Sequence, residues 1–540
     1  MGVIQLANKG DIRIFIKVLP EANSWENQAF LPVWQARTIH GNSKNYDRYE
    51  YNQGLEQPPK TGKMLKVSGL YTDFYQLSMS QAYYLSGRKT EKAIFDYFFR
   101  KLPFDGGYAV FAGLEVLLEQ IESLKFGEDD LEYLAVQGFD QQFLQYLRSF
   151  KFEGNICSAR EGDLVYPTRP VAIVEASLIE AQILETLLLN FLNYQTLIAT
   201  KASRMRQAAG DRHLIDFGMR RAHGPAALHA SRAAIIGGFN ATSNVEAAKE
   251  YNIPVSGTMA HSFIQSFDDE LQAFRNYAEK WPHDCILLVD TYDTLKSGVP
   301  NAVRVAREME KQGHRLKGIR LDSGDLAYLA KKSRVLLDEA GLPYVKIAVS
   351  NQLDEYVIRS LLGQDAPIDV FGVGTSLVTG QPDAALDGVY KLAFVADKPR
   401  IKLSESIAKV TLPFKKQVHR IYNGEHMALG AECISLWDER EVTQMFHPFE
   451  PGKFFRFSNH KTEPLLHQVM AKGKRISPPR SLDEIAAYSK ARLQQLPLEY
   501  KRFENPHRYK IGLSRELKDS RDQLIATYSK KEHYESPGSY

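Results

Sequence analysis

The sequence predicts an α/β fold built around a parallel β/α barrel. Three observations predict it. Short apolar runs rich in β-branched residues recur through the middle of the chain: 214–217, 255–259, 286–289, 318–321, 345–349 and 368–373. Amphipathic helical patterns, such as 302–312 and 326–340, separate the later runs at intervals of about thirty residues, the rhythm of βα units. No run opens into a G-x-G-x-x-G turn, which favours a barrel over a dinucleotide-binding sheet.

Taken in order, residues 1–65 read as a peripheral extension, because 41–63 is polar, rich in Asn, Tyr, Gly and Pro, and aperiodic. Met64 is an alternative functional start. From Leu65 the texture turns to dense helical and strand patterns, including the apolar run Ala93 to Phe99. Ala176 to Ala199 carries apolar residues at helical spacing and predicts a long buried helix. The expected division is an extension (1–65), an N-terminal α/β domain with a connecting helix (66–200), the barrel (201–384) and a C-terminal segment (385–540). In the last, 389–395, 401–403 and 418–422 read as strands, and 482–524 as a charged helical tail interrupted at Pro497 and Pro506.

Bulk composition narrows the function. At 540 residues the chain exceeds one compact core. Hydrophobic residues at 44% and charged residues at 25% are those of a globular enzyme. The net charge of +3 gives no global reason for a nucleic-acid or membrane partner, so any anion site must be local. Cys157, Cys285 and Cys433 are scattered and predict reduced thiols, with no disulfide framework and no structural metal site. The N-terminus lacks a signal-peptide run, and Leu6 stands where a myristoylation signal needs Ser or Thr. The most apolar stretch, 171–200, contains Glu175, Glu180 and Glu185 and makes a poor membrane span. A cytoplasmic protein is expected.

The polar residues fall at the ends of the middle strands. Asp216-Phe217-Gly218-Met219-Arg220-Arg221 follows the first run, and His261-Ser262 the second. Asp290-Thr291-Tyr292-Asp293 and Arg320-Leu321-Asp322-Ser323-Gly324-Asp325 come next, then Ser350-Asn351 and Gly372-Val373-Gly374-Thr375-Ser376. In a β/α barrel these ends share one mouth. A lone Asp after a strand is commonly a helix N-cap, the ordinary reading of Asp293 and Asp325. The array as a whole has a chemical theme: arginines and glycine turns suit phosphate, and carboxylates suit ribose hydroxyls or magnesium. A Schiff-base aldolase of sugar phosphates would need a lysine near the mouth, whereas Lys317 and Lys346 begin their strands.

At these residues the chain closely resembles the nicotinate phosphoribosyltransferases, and more distantly the nicotinamide-specific enzymes. The resemblance runs from about Leu70 to about residue 520. It includes Thr72-Asp73-Phe74-Tyr75, Phe98-Phe99-Arg100, Gly257-Thr258-Met259-Ala260-His261-Ser262-Phe263, Lys402-Leu403-Ser404-Glu405 and the strand-end motifs above. It implies an irregular, type II phosphoribosyltransferase-like barrel packed on a second α/β domain built from segments on both sides of it. It also implies a homodimer with shared active sites, and formation of nicotinate mononucleotide and pyrophosphate from nicotinate and phosphoribosyl pyrophosphate (PRPP). ATP hydrolysis is coupled through a phosphohistidine, and magnesium is expected to accompany PRPP and ATP. Carried over residue by residue, His261 is the phosphoryl acceptor, and Asp290 and Asp322 grip ribose hydroxyls or magnesium-bound water. Phe217 and Tyr75 sandwich the pyridine, Tyr75 coming from the partner subunit. Arg220 and Arg320 meet the nicotinate carboxylate or a phosphate, and Thr258 lies near the nicotinate. Gly372, Gly374 and Thr375 cradle the sugar phosphate, and Lys402 adds charge for a phosphate. The rival readings are a nicotinamide phosphoribosyltransferase and a non-catalytic relative that kept the fold.

One position bears on the choice of pyridine. Ser243 stands where nicotinamide-specific relatives carry an aspartate. An aspartate accepts a hydrogen bond from a carboxamide but repels a carboxylate. Two like charges ~4 Å apart cost on the order of 4 kcal/mol at an effective dielectric near ~20. Serine carries no such penalty, so nicotinate is favoured.

Overall fold

The computed structural model describes residues 67–403, 410–424, 427–450 and 452–534, together with the backbone of two strands, Arg13–Lys17 and Trp34–Thr38, that pair antiparallel within residues 1–58. The rest of the 1–65 extension, Met64, and Ser404-Glu405 of the Lys402 motif lie outside the described residues.

The middle of the chain forms a six-stranded, all-parallel sheet. In chain order its strands are His213–Asp216, Ala241–Thr242, Ile286–Leu288, Gly318–Leu321, Lys346–Ser350 and Val370–Val373. Each pairs with the next except at one place, and the last pairs with the first. That order is cyclic but open between Thr242 and Ile286, and is consistent with the irregular barrel expected from the sequence. At the opening, Val255 adds a single parallel bridge to Thr242. The strand expected over 255–259 is therefore reduced to one bridge, and the backbone from Gly257 to Ala260 is irregular. Conversely, Ala241–Thr242 is a strand that the sequence did not announce, being only two residues long.

Helices cover the outside of the wall. Val299–Lys311 and Leu326–Glu339 match the patterns read at 302–312 and 326–340. The long helix spans Leu178–Ala209, opened by a capping box in which Ser177 accepts from the Glu180 N–H while the Glu180 carboxylate accepts from the Ser177 N–H. Its burial changes partner along its length. Leu178 to Leu197 pack in the core of an antiparallel sheet, whereas Ile198 to Ala209 pack in the core of the parallel sheet. One helix thus joins two cores. Among the described residues no helix is long and apolar enough to cross a membrane.

The antiparallel sheet has seven strands drawn from both sides of the barrel in sequence. Lys92–Phe99 lies between Ala172–Ser177 and Gly388–Val395, and Asn155–Ser158 pairs with His467–Ala471. A further six-stranded sheet comes wholly from the C-terminal part, with Ala428–Leu436 paired to Lys416–Tyr422 near its middle. Two sequence expectations fail here. Residues 401–403 form no strand, and Lys510–Leu513 interrupts the expected helical tail as a strand parallel to Ala428–Leu436. Its partner is some eighty residues earlier in the chain, which no local pattern conveys. Helices Leu482–Gln495 and Arg515–Tyr534 flank it.

Buried ion pairs tie these parts together. Arg420 and Arg492 both reach Asp163, at 2.6 and 2.9 Å, and Arg232 reaches Glu161 at 2.6 Å. Burial works to raise the Asp163 carboxyl, but the two guanidiniums outweigh it and hold the group well below the ordinary aspartate range. Removing any one partner leaves an uncompensated buried charge, so these pairs fix the relative placement of elements.

Candidate active site

Because all six wall strands are parallel, their C-terminal ends form one edge. The side-chain period of two puts Arg320 and Asp322 on one face of their strand, and the ladder register sets Arg320 opposite Ala348. Two residues further on, Asp322 is level with Ser350. A small hydroxyl there bridges both: its Oγ accepts from Arg320 Nε at 2.8 Å and donates to Asp322 Oδ1.

Arg320 is the centre of the network. Besides Ser350, its Nη1 donates to Thr258 Oγ1 at 2.8 Å and its Nη2 to Asp322 Oδ1 at 2.7 Å. Its guanidinium carbon lies 5.5 Å from the centre of the Phe217 ring. Asp290, buried on the neighbouring strand end, accepts on Oδ2 from the Asp322 N–H and the Ser323 hydroxyl, each at 2.7 Å. Its other oxygen, Oδ1, has no hydrogen-bond partner. A buried carboxylate oxygen without a donor is costly unless a ligand completes it.

His261 begins a short helix, His261–Gln265, directly after the irregular segment at the opening. Its Nδ1 lies 3.1 Å from Thr291 Oγ1, and its Nε2 4.0 Å from Asp322 Oδ2. If Nδ1 carries the proton toward Thr291, Nε2 is left with a free lone pair. The Asp322 carboxyl is opposed by burial, yet Ser350, Arg320 and His261 together hold it below its ordinary value, so it is charged throughout the neutral range.

Phe217 forms one wall. Its N–H donates to Val373 O at 2.8 Å, and its ring occupies the space a Cβ would need at Gly372, only 2.3 Å from Cε2. Gly218 is equally constrained, since a Cβ there would lie 2.1 Å from Val378. Behind the ring, Asp216 is 1% exposed and accepts from the Gly218 N–H (2.8 Å), Ser231 Oγ (2.7 Å) and Thr242 Oγ1 (2.8 Å). Ser243, half-buried, donates its N–H to Asp216 O at 2.8 Å.

The structure therefore brings together His261, Asp290, Asp322, Arg320, Thr258 and Phe217, with Ser243, Gly372 and Gly374 adjoining through Asp216 and the Phe217 backbone. Thr375 is exposed at the start of the short helix Thr375–Val378. Arg220 is exposed, and its guanidinium has no partner among the described residues. Two further candidates, like Arg220, lie apart from this network. Tyr75 is 48% exposed on the helix Phe74–Leu85, its hydroxyl 3.5 Å from Glu185, with no contact to the mouth within this chain. Lys402 is exposed, and its backbone N–H bonds Thr411 Oγ1 at 2.9 Å. Asp293 and Asp325 are N-caps, bonding Lys296 N at 2.9 Å and Tyr328 N at 3.0 Å. Lys317 and Lys346 pair with Asp284 and Asp369 at the opposite strand ends, which removes the Schiff-base reading.

Sequence reasoning passed over Thr291, Ser323 and Ser350 as chemistry, although each was visible as a strand-end residue. Ser231 and Thr242 carried no signal of their own, and Asp216 was visible only as the start of a strand-end motif, because a buried hydroxyl beside a carboxylate is recognisable only once the strands are placed.

Three family descriptions cover the chain: the nicotinate phosphoribosyltransferase N-terminal domain over 70–193, the nicotinate phosphoribosyltransferase family over 212–426 and its C-terminal domain over 415–521. The nicotinate phosphoribosyltransferase of Bacillus subtilis (strain 168) is 46% identical over 84% of this chain and 95% of its own length. That of Caenorhabditis elegans is 37% identical over 84% and 92%. The crystal structure of human nicotinic acid phosphoribosyltransferase superposes with a TM-score of 0.75 at 30% identity, covering 84% of this chain and 99% of that one. With the parallel sheet, the two-sided antiparallel sheet and the strand-end network in place, these likenesses show that the chain belongs to the nicotinate phosphoribosyltransferase family and is an enzyme of that activity.

Proposed function

We propose that this mouth joins nicotinate to PRPP in a reaction driven by ATP through phosphorylation of His261, feeding salvaged nicotinate into NAD. The observation that carries the reading is the single network linking His261, Asp322, Arg320 and Thr258 beside the Phe217 ring.

Nicotinate lies with its electron-poor ring against Phe217, the opposite face covered by Tyr75 of a second subunit. The exposure of Tyr75 supports a homodimer with shared sites, and Arg220, without a partner among the described residues, is suited to the nicotinate carboxylate or a phosphate. Arg320 has most of its donors engaged and serves chiefly to order Thr258 and Asp322 around the bound acid. Gly372, Gly374 and Thr375 offer close backbone approach to the sugar phosphate, and Lys402 supplies further positive charge.

In the coupling step, His261 Nε2 directs its lone pair at the γ-phosphorus of ATP. The N–P bond forms as the bond to the ADP oxygen breaks, and ADP departs. In the transfer step the nicotinate nitrogen bonds C1 of the sugar while the C1–O bond to pyrophosphate breaks, its electron pair leaving with pyrophosphate. Asp290 and Asp322 orient the ribose hydroxyls and stabilise positive charge developing at C1. Water later cleaves the phosphohistidine. Magnesium fits as a companion of the substrates: Asp290 Oδ1 is a buried carboxylate oxygen of this network without a donor. Bound there, the cation would neutralise phosphate charge.

The test is labelling with ATP carrying a radioactive γ-phosphate. Acid-labile, base-stable label mapping to His261 is expected; label on another residue, or none during turnover, overturns the coupling proposal.

A further inference from the structure

We propose that Asp216, through Thr242 and Ser231, is a positioning residue that sets the geometry of the pyridine pocket. The proposal rests on the reading of Phe217 and Ser243 as pyridine contacts.

Asp216 is a buried carboxylate with no cation beside it. Its charge is answered by hydrogen bonds alone, from donors on three different elements: the Gly218 N–H in the turn after its own strand, Ser231 on the helix Ala226–Ile236, and Thr242 on the adjoining strand. Burial raises its carboxyl above the ordinary value, and those same donors work the other way. A lone buried anion is unfavourable unless it is richly bonded, so the arrangement is not a generic core filler.

Both pyridine contacts hang on this carboxylate. The Gly218 bond fixes the turn that aims the Phe217 ring, and Gly218 itself is pinned against Val378. On the other side, Ser243 follows directly after Thr242, and its N–H bonds the Asp216 carbonyl. Asn244 completes the clasp, its N–H bonding Thr242 Oγ1 at 3.0 Å. Asp216 therefore fixes the distance between the aromatic wall and the residue facing the pyridine substituent. None of its atoms needs to touch substrate.

Thr242→Val keeps the side-chain volume and removes one donor to the anion; Thr242→Ser keeps the donor. Nicotinate binding is measured by calorimetry, and KM for nicotinate and for PRPP by steady-state assay. The expected result for Thr242→Val is about a tenfold loss of nicotinate affinity, the order set by one hydrogen bond to a charged group. The KM for PRPP and the rate of ATP hydrolysis change by less than about twofold. Thr242→Ser restores nicotinate affinity. Ser231→Ala should show the same selective loss, and serves if Thr242→Val does not fold. Unchanged nicotinate affinity in the folded variants, or an equal loss for both substrates, overturns the positioning role. Phe217→Ala is measured alongside: if it too leaves nicotinate binding intact, the pyridine reading has failed, whereas a loss in Phe217→Ala alone rejects Asp216 only.

Discussion

Ser350 Oγ stands between Arg320 and Asp322, accepting from Nε of the one at 2.8 Å and donating to Oδ1 of the other. The guanidinium and carboxylate also meet directly at 2.7 Å, so the hydroxyl converts an ion pair into a rigid three-membered unit. Its position follows from strand register alone, which makes it a sensitive point for the account.

Ser350→Ala should leave the fold intact and loosen that unit. Loss of both bonds is worth about 2 kcal/mol, or roughly thirtyfold in kcat/KM. Asp322 is held below its usual value partly by this hydroxyl, so its carboxyl rises in the variant and the acid limb of the kcat/KM profile moves to higher pH. A pH–rate profile superposing on the parent would show that Ser350 does not tune Asp322.

Gly372→Ala places a methyl 2.3 Å from the Phe217 ring. Relief requires the ring or the strand to shift, at a cost of about 1–3 kcal/mol. The expected outcome is weaker nicotinate binding with a smaller change in melting temperature than a core cavity produces. Calorimetric affinity equal to the parent's would mean the ring does not form the pyridine wall.

Ser243→Asp should lower kcat/KM for nicotinate by up to roughly a thousandfold through carboxylate repulsion. Nicotinamide use is expected to fall much less or to rise. Parallel losses with both pyridines would remove Ser243 from the specificity argument.

His229 supplies a pH test of stability. Its Nδ1 accepts from Gln195 Nε2 at 3.3 Å, its ring meets Phe191 edge-on at 5.2 Å, and burial, aided by Arg232, pushes its pKa down from 6.5 to about 4. The folded chain therefore holds this ring neutral where the unfolded chain would protonate it. Its contribution is complete above about pH 6.5 and is lost as pH falls toward about 4, up to about 3 kcal/mol in all. In His229→Gln the melting temperature should fall less between those limits. An identical acid slope would show that His229 is not a source of acid sensitivity.

Much of this architecture was legible beforehand because it is periodic. The apolar wall strands, the helices at 299–311 and 326–339 and the polar strand ends all follow repeating patterns. What escaped depends on distant pairing. Ala241–Thr242 is too short to show alternation, and Lys510–Leu513 is a strand only because Ala428–Leu436 lies beside it. Residues 255–259 read as a strand because of Val255, Thr258 and Met259, yet they sit at the opening in the strand order, where only a single bridge at Val255 holds them. That irregularity is what lets Thr258 and His261 reach Arg320 and Asp322. Tyr75 and Lys402 are a different case: resemblance selected them, and the single chain leaves both outside the network.

The central claim is tested most directly by following mononucleotide formation from nicotinate and from nicotinamide, each with PRPP, in the presence and absence of ATP. The account predicts rapid product from nicotinate, acceleration by ATP that is lost in His261→Ala, and little product from nicotinamide under any condition. Equal use of both pyridines, or a nicotinate reaction indifferent to ATP in the parent enzyme, would contradict it.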